Sequence, residues 1–176
     1  MIKKENNFAY IDGANLHQGV SSLGWKLDYK KFRVWLSEKY KISKAYIFIG
    51  LIPQNKELYQ YLQECNFILI FKEVVYSAGG KPKGNCDADL VVSVMRDTYE
   101  NKFYKMLIVT SDGDYASLVV FLQEKEKLIA ILSPSNPKKC SILLKRTAEK
   151  IAYISDQHTH LMSVSKEKTP DGDKIP

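Results

Sequence analysis

Apolar runs alternate along the chain with stretches in which apolar residues recur at helical spacing. The apolar runs predict buried strands at residues 8–11, 45–51, 67–71, 106–110, 128–132 and 152–154. The amphipathic stretches predict helices at residues 28–40, 54–65, 87–101, 115–122 and 142–148. Strands that alternate with helices favour right-handed crossovers and a sheet covered on both faces. We therefore expect an α/β fold, a three-layer α/β/α sandwich with a mainly parallel central sheet.

A single domain is expected over residues 1–162, because a chain of 176 residues is long enough to bury one core. Residues 163–176 (SVSKEKTPDGDKIP) contain almost no apolar side chains and predict a disordered C-terminal tail. Within the domain, the strand at 67–71 is expected to continue with a bend through Val74 and Tyr76. The glycines and the proline of residues 77–85 then predict a loop.

Composition favours a cytoplasmic protein without a membrane segment. No apolar run approaches the roughly 20 residues that a membrane span needs, and the charged start MIKKENN is not typical of a signal peptide. Cys65, Cys86 and Cys140 are odd in number and lack a paired metal spacing, which is typical of free thiols. The formal charge of +6 favours a polyanionic partner, because neutralising phosphates drives nucleic-acid binding.

Aspartates follow two of the predicted strands and open one of the predicted helices. The three segments are IDGAN at 11–15, KGNCDAD at 83–89 and TSDGDY at 110–115. Carboxyl ends of parallel strands meet at one edge of a sheet, so we expect all three segments at the same edge.

Each of these aspartates also has an ordinary structural interpretation. Asp12 can end a strand, and Asp87, Asp112 or Asp114 can cap the helix that follows. Capping explains one carboxylate at each helix start. It does not explain why both Asp112 and Asp114 occur at one helix start, with Asp12 at the end of a nearby strand. Because crowded carboxylates repel one another, the pattern favours a bound cation. Oxygen-only ligands favour Mg²⁺ or Mn²⁺ over zinc.

The order of IDGAN, KGNCDADL and TSDGDYASL resembles the NYN domain, the LabA-like branch of the PIN-like nucleases, from about residue 8 to 154. The resemblance implies a PIN-like fold, a Mg²⁺ or Mn²⁺ site and RNA cleavage. Ser141 matches a serine often seen in the family. Ser93 stands where relatives often carry another acid, so the number of metal ions stays open. The site residues that the resemblance implies are Asp12, Asn15, Lys83, Asp87, Ser111, Asp112 and Asp114.

We therefore predict a metal-dependent ribonuclease that acts on single-stranded or structured RNA, and we allow for a homodimer. The metal ligands are predicted to be Asp12, Asp87, Asp112 and Asp114. Asn15 is expected to orient a water molecule or a phosphate oxygen. Ser111 is expected to bind phosphate at a helix start, and Lys83 to neutralise a phosphate.

Helix geometry separates Asp87 from its neighbour Asp89. At about 100° per residue, Asp87 shares the face of the apolar Leu90, Val91 and Val94, whereas Asp89 lies about 200° away. Asp87 is therefore the predicted ligand, and Asp89 is expected on a solvated face.

Basic residues elsewhere are candidates for following an RNA strand, and Trp25 and Tyr115 are candidates for stacking on its bases. Tyr115 lies on an apolar stripe and is expected to pack in the core, and His158 and His160 are expected at the surface. The basic candidates are Lys26, Lys30, Lys31, Arg33, Lys138, Lys139, Lys145 and Arg146.

Other folds with acids at strand ends fit less well. A haloacid-dehalogenase phosphatase needs an acid where this chain has Ala14, and a Toprim domain needs a glutamate where it has Asp12. A receiver domain needs an aspartate after its third strand, and none follows Phe71 suitably. The alternative that stays open is a non-catalytic RNA-binding or regulatory protein with the same fold.

Overall fold

The computed structural model describes residues 6–76, 82–83, 86–147 and 150–164. Its strands are β1 (Asn7–Asp12), β2 (Ile42–Leu51), β3 (Ile68–Glu73), β4 (Val75–Tyr76), β5 (Pro82–Lys83), β6 (Met106–Val109), β7 (Leu128–Ser133) and β8 (Ile151–Tyr153). Six of them form one parallel sheet in the order β3-β2-β1-β6-β7-β8. The other two, β4 and β5, pair antiparallel as a separate short ribbon.

Helices cover both faces of this sheet. They are α1 (Gly13–Ser21), α2 (Tyr29–Tyr40), α3 (Lys56–Glu64), α4 (Asp87–Tyr99), α5 (Ala116–Glu124), α6 (Ile142–Thr147) and α7 (His158–Leu161). Helices α1, α2, α3 and α7 pack on one face, and α4, α5 and α6 pack on the other. The predicted three-layer α/β/α sandwich with a parallel central sheet is confirmed.

The central strands are apolar throughout because both of their faces are buried. Successive side chains of a strand point to opposite faces, so Ile11 packs towards α1 and α2 while Tyr10 packs towards α4. Strand β6 is fully buried along its length. This two-sided burial explains the continuous apolar runs in the sequence.

The sheet has a topological switch between β1 and β6. From β1 the chain moves outwards through β2 to β3, and from β6 it moves outwards in the other direction through β7 to β8. The connecting helices lie on opposite faces in the two halves, so the switch point falls at the carboxyl ends of β1 and β6. Ligands bind at such switch points in parallel α/β sheets.

Helix α1 was absent from the predicted elements. Its sequence GANLHQGVS buries only Gly13, Leu16 and Val20, which is a narrow apolar stripe. The helix begins directly after β1 because the Asp12 carboxylate accepts a hydrogen bond from the backbone N–H of Asn15. A side chain at Gly13 would place its Cβ 2.7 Å from the carbonyl oxygen of Phe48, so this close start needs glycine.

Two further boundaries differ from the predictions. Strand β3 ends at Glu73, and residues after it form the β4–β5 ribbon, so part of the predicted 77–85 loop is strand. Residues 77–81 and 84–85 lie outside the described residues, as do 148–149 of the predicted last helix and 165–176 of the predicted tail. Ser163, the first residue of the predicted tail, is described, and its N–H donates to the carbonyl of Lys26.

None of the helices in the described ranges is long and apolar enough to cross a membrane.

Candidate metal centre

Four aspartates meet at the carboxyl edge of the sheet, beside the switch point. Asp12 is the last residue of β1, Asp87 is the first residue of α4, and Asp112 and Asp114 follow β6. Carboxylate oxygens of Asp87, Asp112 and Asp114 lie within 4.8 Å of one another. Asp12 joins them through the hydroxyl of Tyr115, which is 2.6 Å from Asp87 Oδ1 and 3.4 Å from Asp12 Oδ2. We call these four residues the acidic cluster.

Two members of the acidic cluster also cap helical turns. Asp12 Oδ1 accepts from the N–H of Asn15, and Asp112 Oδ1 accepts from the N–H of Asp114, both at 3.0 Å. Asp87 does not cap its helix, because the N-cap position is Cys86. Capping therefore fixes the orientation of two carboxylates without explaining why all four converge.

The environment of Asp12 disfavours its charged form. Its side chain is only 7% exposed. Burial, together with the negative charges of Asp87 and Asp112, raises the pKa of Asp12 to about 6, although hydrogen bonds from Asn15 and Tyr115 act in the opposite direction. A cation bound beside Asp12 would relieve this unfavourable charge.

Tyr115 is a buried core residue whose hydroxyl contacts aspartates of the acidic cluster. It is 1% exposed and belongs to the same buried apolar cluster as Leu90, Val94 and Leu118. Burial and the charges of nearby aspartates raise the pKa of Tyr115 far above its ordinary value, so the hydroxyl stays neutral and can donate. The sequence predicted its burial but not this contact. A tyrosine rather than a phenylalanine on an apolar stripe was the available signal, because a buried hydroxyl needs a partner.

Asn15 and Ser111 join the two halves of the sheet. The side-chain carbonyl of Asn15 accepts from the N–H of Ser111 at 2.7 Å. The Ser111 hydroxyl lies 2.9 Å from that of Ser133 and 2.8 Å from that of Ser135. Both partners are buried, and the sequence analysis did not find them. The N–H and hydroxyl of Ser111 are thus engaged within the protein, and its predicted phosphate contact stays a prediction.

Ser141 supports the turn that carries Asp112 and Asp114. Its backbone N–H donates to the carbonyl of Ser111 at 3.0 Å. A Cβ on Gly113 would collide with the Ser141 hydroxyl and crowd Leu143. Glycine between the two aspartates therefore allows this turn to pack closely against the start of α6.

A family model described as the NYN domain matches residues 8–155. The chain belongs to the NYN domain family. Its structure is similar to that of a protein of unknown function, VPA0982 from Vibrio parahaemolyticus, with a TM-score of 0.75 and 19% identity over 92% of this chain and 99% of that one. It is also similar to a mutant of T5 5′-exonuclease, with a TM-score of 0.42 and 14% identity over 89% of this chain and 56% of that one. No curated protein matches this NYN domain.

Two residues that flank Asp87 in the sequence of this NYN domain, Asp89 and Lys83, do not share its place in the acidic cluster. Asp89 forms an ion pair with Lys72 of β3 at 2.7 Å, and both side chains are more than 40% exposed. It is not part of the three-carboxylate group. The backbone of Lys83 pairs with Val75, and its side chain lies outside the described part of the chain.

Arg33 does not belong to an RNA-facing surface of the NYN domain. It is 8% exposed, and its guanidinium donates to the backbone carbonyls of Ile42, Ser43 and Asn66. These bonds attach α2 to the sheet, so this candidate has a structural role. Most of the other basic candidates are exposed, as are both histidines, and Lys145 is half-buried.

Proposed function

We propose that this NYN domain hydrolyses RNA phosphodiester bonds with the help of a divalent metal ion. The observation that carries the proposal is the acidic cluster, in which three carboxylates lie within 4.8 Å of one another beside a buried fourth. The position of the cluster at the topological switch supports it, because ligands bind there in this fold class. The resemblance to PIN-like nucleases favours RNA as the substrate.

The donor set suits Mg²⁺ or Mn²⁺. All of the candidate ligand atoms are carboxylate oxygens, which hard divalent ions prefer. The raised pKa of Asp12 adds a second argument, because burial and the neighbouring carboxylates disfavour its negative charge and a nearby cation would favour it. Asp12, Asp87, Asp112 and Asp114 would hold the ion. When bound, it would supply positive charge that stabilises the attacking and leaving oxygens of the phosphodiester.

Neighbouring residues would keep the carboxylates in place during the reaction. The N–H of Asn15 donates to Asp12, and its side chain accepts from Ser111, so one residue links the carboxyl ends of β1 and β6. The turn at Asp112 is fixed in the same way by the N–H of Asp114. Such preorganisation lowers the reorganisation that a reaction needs.

RNA would approach this edge over a basic surface. Lys138, Lys139 and Arg146 are exposed. They belong to the segment around Ser141, whose backbone contacts Ser111 next to Asp112. Phosphates would be repelled by the bare carboxylates, so RNA binding at the cluster would itself depend on the metal. Lys83 of β5 is proposed to add positive charge.

A non-catalytic RNA-binding protein with the same fold is the alternative. Such a protein gains nothing from four converging carboxylates that destabilise the charged form of Asp12. The cluster therefore favours catalysis. Membership of the LabA-like branch, a cytoplasmic location and a homodimer remain proposals from the sequence, and sedimentation of the purified protein would test the last of them.

Cleavage of fluorescent single-stranded and hairpin RNA tests the function directly. The wild type should cut with Mg²⁺ or Mn²⁺ and stop when EDTA is added. Asp12→Asn should abolish cleavage while the circular dichroism spectrum stays folded. Asp28→Asn is the matched control, because Asp28 caps α2 as Asp12 caps α1 but lies outside the acidic cluster. Equal cleavage by all three proteins would point to a contaminant and refute the assignment.

A further inference from the structure

The side chain of Tyr115 reaches from the core of the sheet into the acidic cluster. Its ring is held by packing on the face covered by α4 and α5, so the position of its hydroxyl is fixed. That hydroxyl is 2.6 Å from Asp87 Oδ1 and 3.4 Å from Asp12 Oδ2. The two carboxylates belong to different elements, α4 and β1, so the hydroxyl connects the two sides of the site.

The short distance to Asp87 indicates a strong hydrogen bond. A hydroxyl that donates to a carboxylate at 2.5–2.7 Å forms a charge-assisted bond, which is about twice as strong as a neutral one. This bond limits the rotation of the Asp87 carboxylate. Asp12 lies outside the group of three carboxylates within 4.8 Å of one another, and Tyr115 contacts both Asp12 and Asp87 of that group.

A neutral donor suits this position better than a charged one. A lysine or arginine between the carboxylates would neutralise them and compete with a cation, whereas a phenylalanine would leave Asp87 without this donor. We infer that Tyr115 is a positioning residue whose hydroxyl donates to Asp87 and keeps it beside Asp12, 3.4 Å from the same hydroxyl, in the arrangement that binds the metal ion. The inference rests on the function proposed above and adds a residue to its site.

Tyr10 provides a matched comparison within the same core. It is also 1% exposed, and its hydroxyl donates to Asp97 Oδ2 at 2.8 Å. Asp97 lies towards the other end of α4 from Asp87, so the two tyrosines attach two parts of one helix to the rest of the fold. If Tyr115 only stabilised α4, removing either hydroxyl would have the same consequences.

Mn²⁺ binding in the absence of RNA separates the two roles. Free Mn²⁺ is measured by electron paramagnetic resonance during titration of wild type, Tyr115→Phe and Tyr10→Phe at constant pH. Tyr115→Phe should weaken Mn²⁺ binding about tenfold, as expected when a hydrogen bond to a charged group is lost. Tyr10→Phe should bind Mn²⁺ like the wild type, although both variants lose a buried hydrogen bond and melt at lower temperature.

RNA cleavage should follow the same division. In Tyr115→Phe the Mn²⁺ concentration for half-maximal rate should rise about tenfold, matching the binding change. The rate at saturating Mn²⁺ should largely recover, because the ligands themselves are retained. Tyr10→Phe should leave the half-maximal concentration unchanged.

Equal Mn²⁺ affinity in Tyr115→Phe and Tyr10→Phe would overturn the positioning role while leaving the ribonuclease proposal intact. Absence of Mn²⁺ binding by the wild type would instead overturn the proposed function and this inference with it. If Tyr115→Phe does not fold, wild type labelled with ¹³C at the tyrosine Cζ gives the answer during Mg²⁺ titration. The Tyr115 resonance should move with Mg²⁺ while that of Tyr10 does not, and a Tyr115 resonance that stays still while Mg²⁺ binds would contradict the inference.

Discussion

Replacing Asp12 by asparagine should stabilise the metal-free protein. The folded state raises the pKa of Asp12 from its ordinary value of 3.8 to about 6, first through burial. Asparagine removes the charge and keeps the cap of α1, since it is among the best N-cap residues. Its amide can still accept from the N–H of Asn15, as the carboxylate does at 3.0 Å. The substitution therefore removes the charge while keeping the cap.

The size of the effect follows from linkage between proton binding and folding. Because the folded pKa of Asp12 is the higher one, the folded state binds more protons than the unfolded state between about pH 4 and pH 6. The free energy of unfolding consequently falls as pH rises through this window. Two pKa units correspond to about 3 kcal/mol, and this penalty is fully present above about pH 6. For a domain of this size, that amounts to roughly 6–12 °C in melting temperature.

Thermal and urea unfolding in EDTA would measure this difference at several pH values. At pH 8, Asp12→Asn should melt above the wild type, and the gap should shrink as pH falls towards 4. Asp28→Asn, at the N-cap of α2, should stay within about 0.5 kcal/mol of the wild type at each pH. Mn²⁺ at about 100 times its dissociation constant should stabilise the wild type by roughly 2.7 kcal/mol and the Asp12→Asn variant by less. An Asp12→Asn protein that melts at or below the wild-type temperature in EDTA at pH 8 would refute the reasoning.

Two further substitutions test the local geometry of the site. Asp87→Asn should lower RNA cleavage by orders of magnitude. Asp89→Asn should lower it only a few-fold, because Asp89 is paired with Lys72 outside the acidic cluster. If the initial rates of the two variants ranked the other way, the ligand would be misassigned. Gly113→Ala should destabilise the fold by about 1–3 kcal/mol, as overpacking does, and displace Asp112 and Asp114, because a Cβ there meets Ser141 and Leu143. Urea unfolding measures the first effect and Mn²⁺ affinity the second, and unchanged values for both would contradict the packing argument.

The sequence alone determined the strands of the sheet and the edge at which the aspartates lie. Strands buried on both faces must be apolar throughout, so β2, β6 and β7 could be read from short windows of residues. The positions of Asp12 and Asp112 after such strands then predicted that both lie at the carboxyl edge. This step needs only the rule that parallel strands share their direction, and no knowledge of which strands are neighbours.

Only the tertiary structure decided which strands pair and what surrounds each aspartate. Nothing local in β1 or β6 encodes that they are adjacent, and their adjacency creates the switch point. Helix α1 went unpredicted because packing against β2 and the cap from Asp12 stabilise a segment with a narrow apolar stripe. Arg33, which the sequence suggested as an RNA contact, points inwards because backbone carbonyls of Ile42, Ser43 and Asn66 accept its hydrogen bonds.

The contact between Tyr115 and Asp87 belongs to the same class of tertiary information. The two residues are 28 positions apart in the sequence. The Tyr115 hydroxyl and the Asp87 carboxylate meet only when α4 and α5 pack on the same face of the sheet. The raised pKa of Asp12 likewise depends on how deeply the folded chain buries it. Periodicity reports which face of an element is buried, because burial is a property of each residue. It does not report partners, because a hydrogen bond or a charge interaction is a property of two residues and of the distance between them.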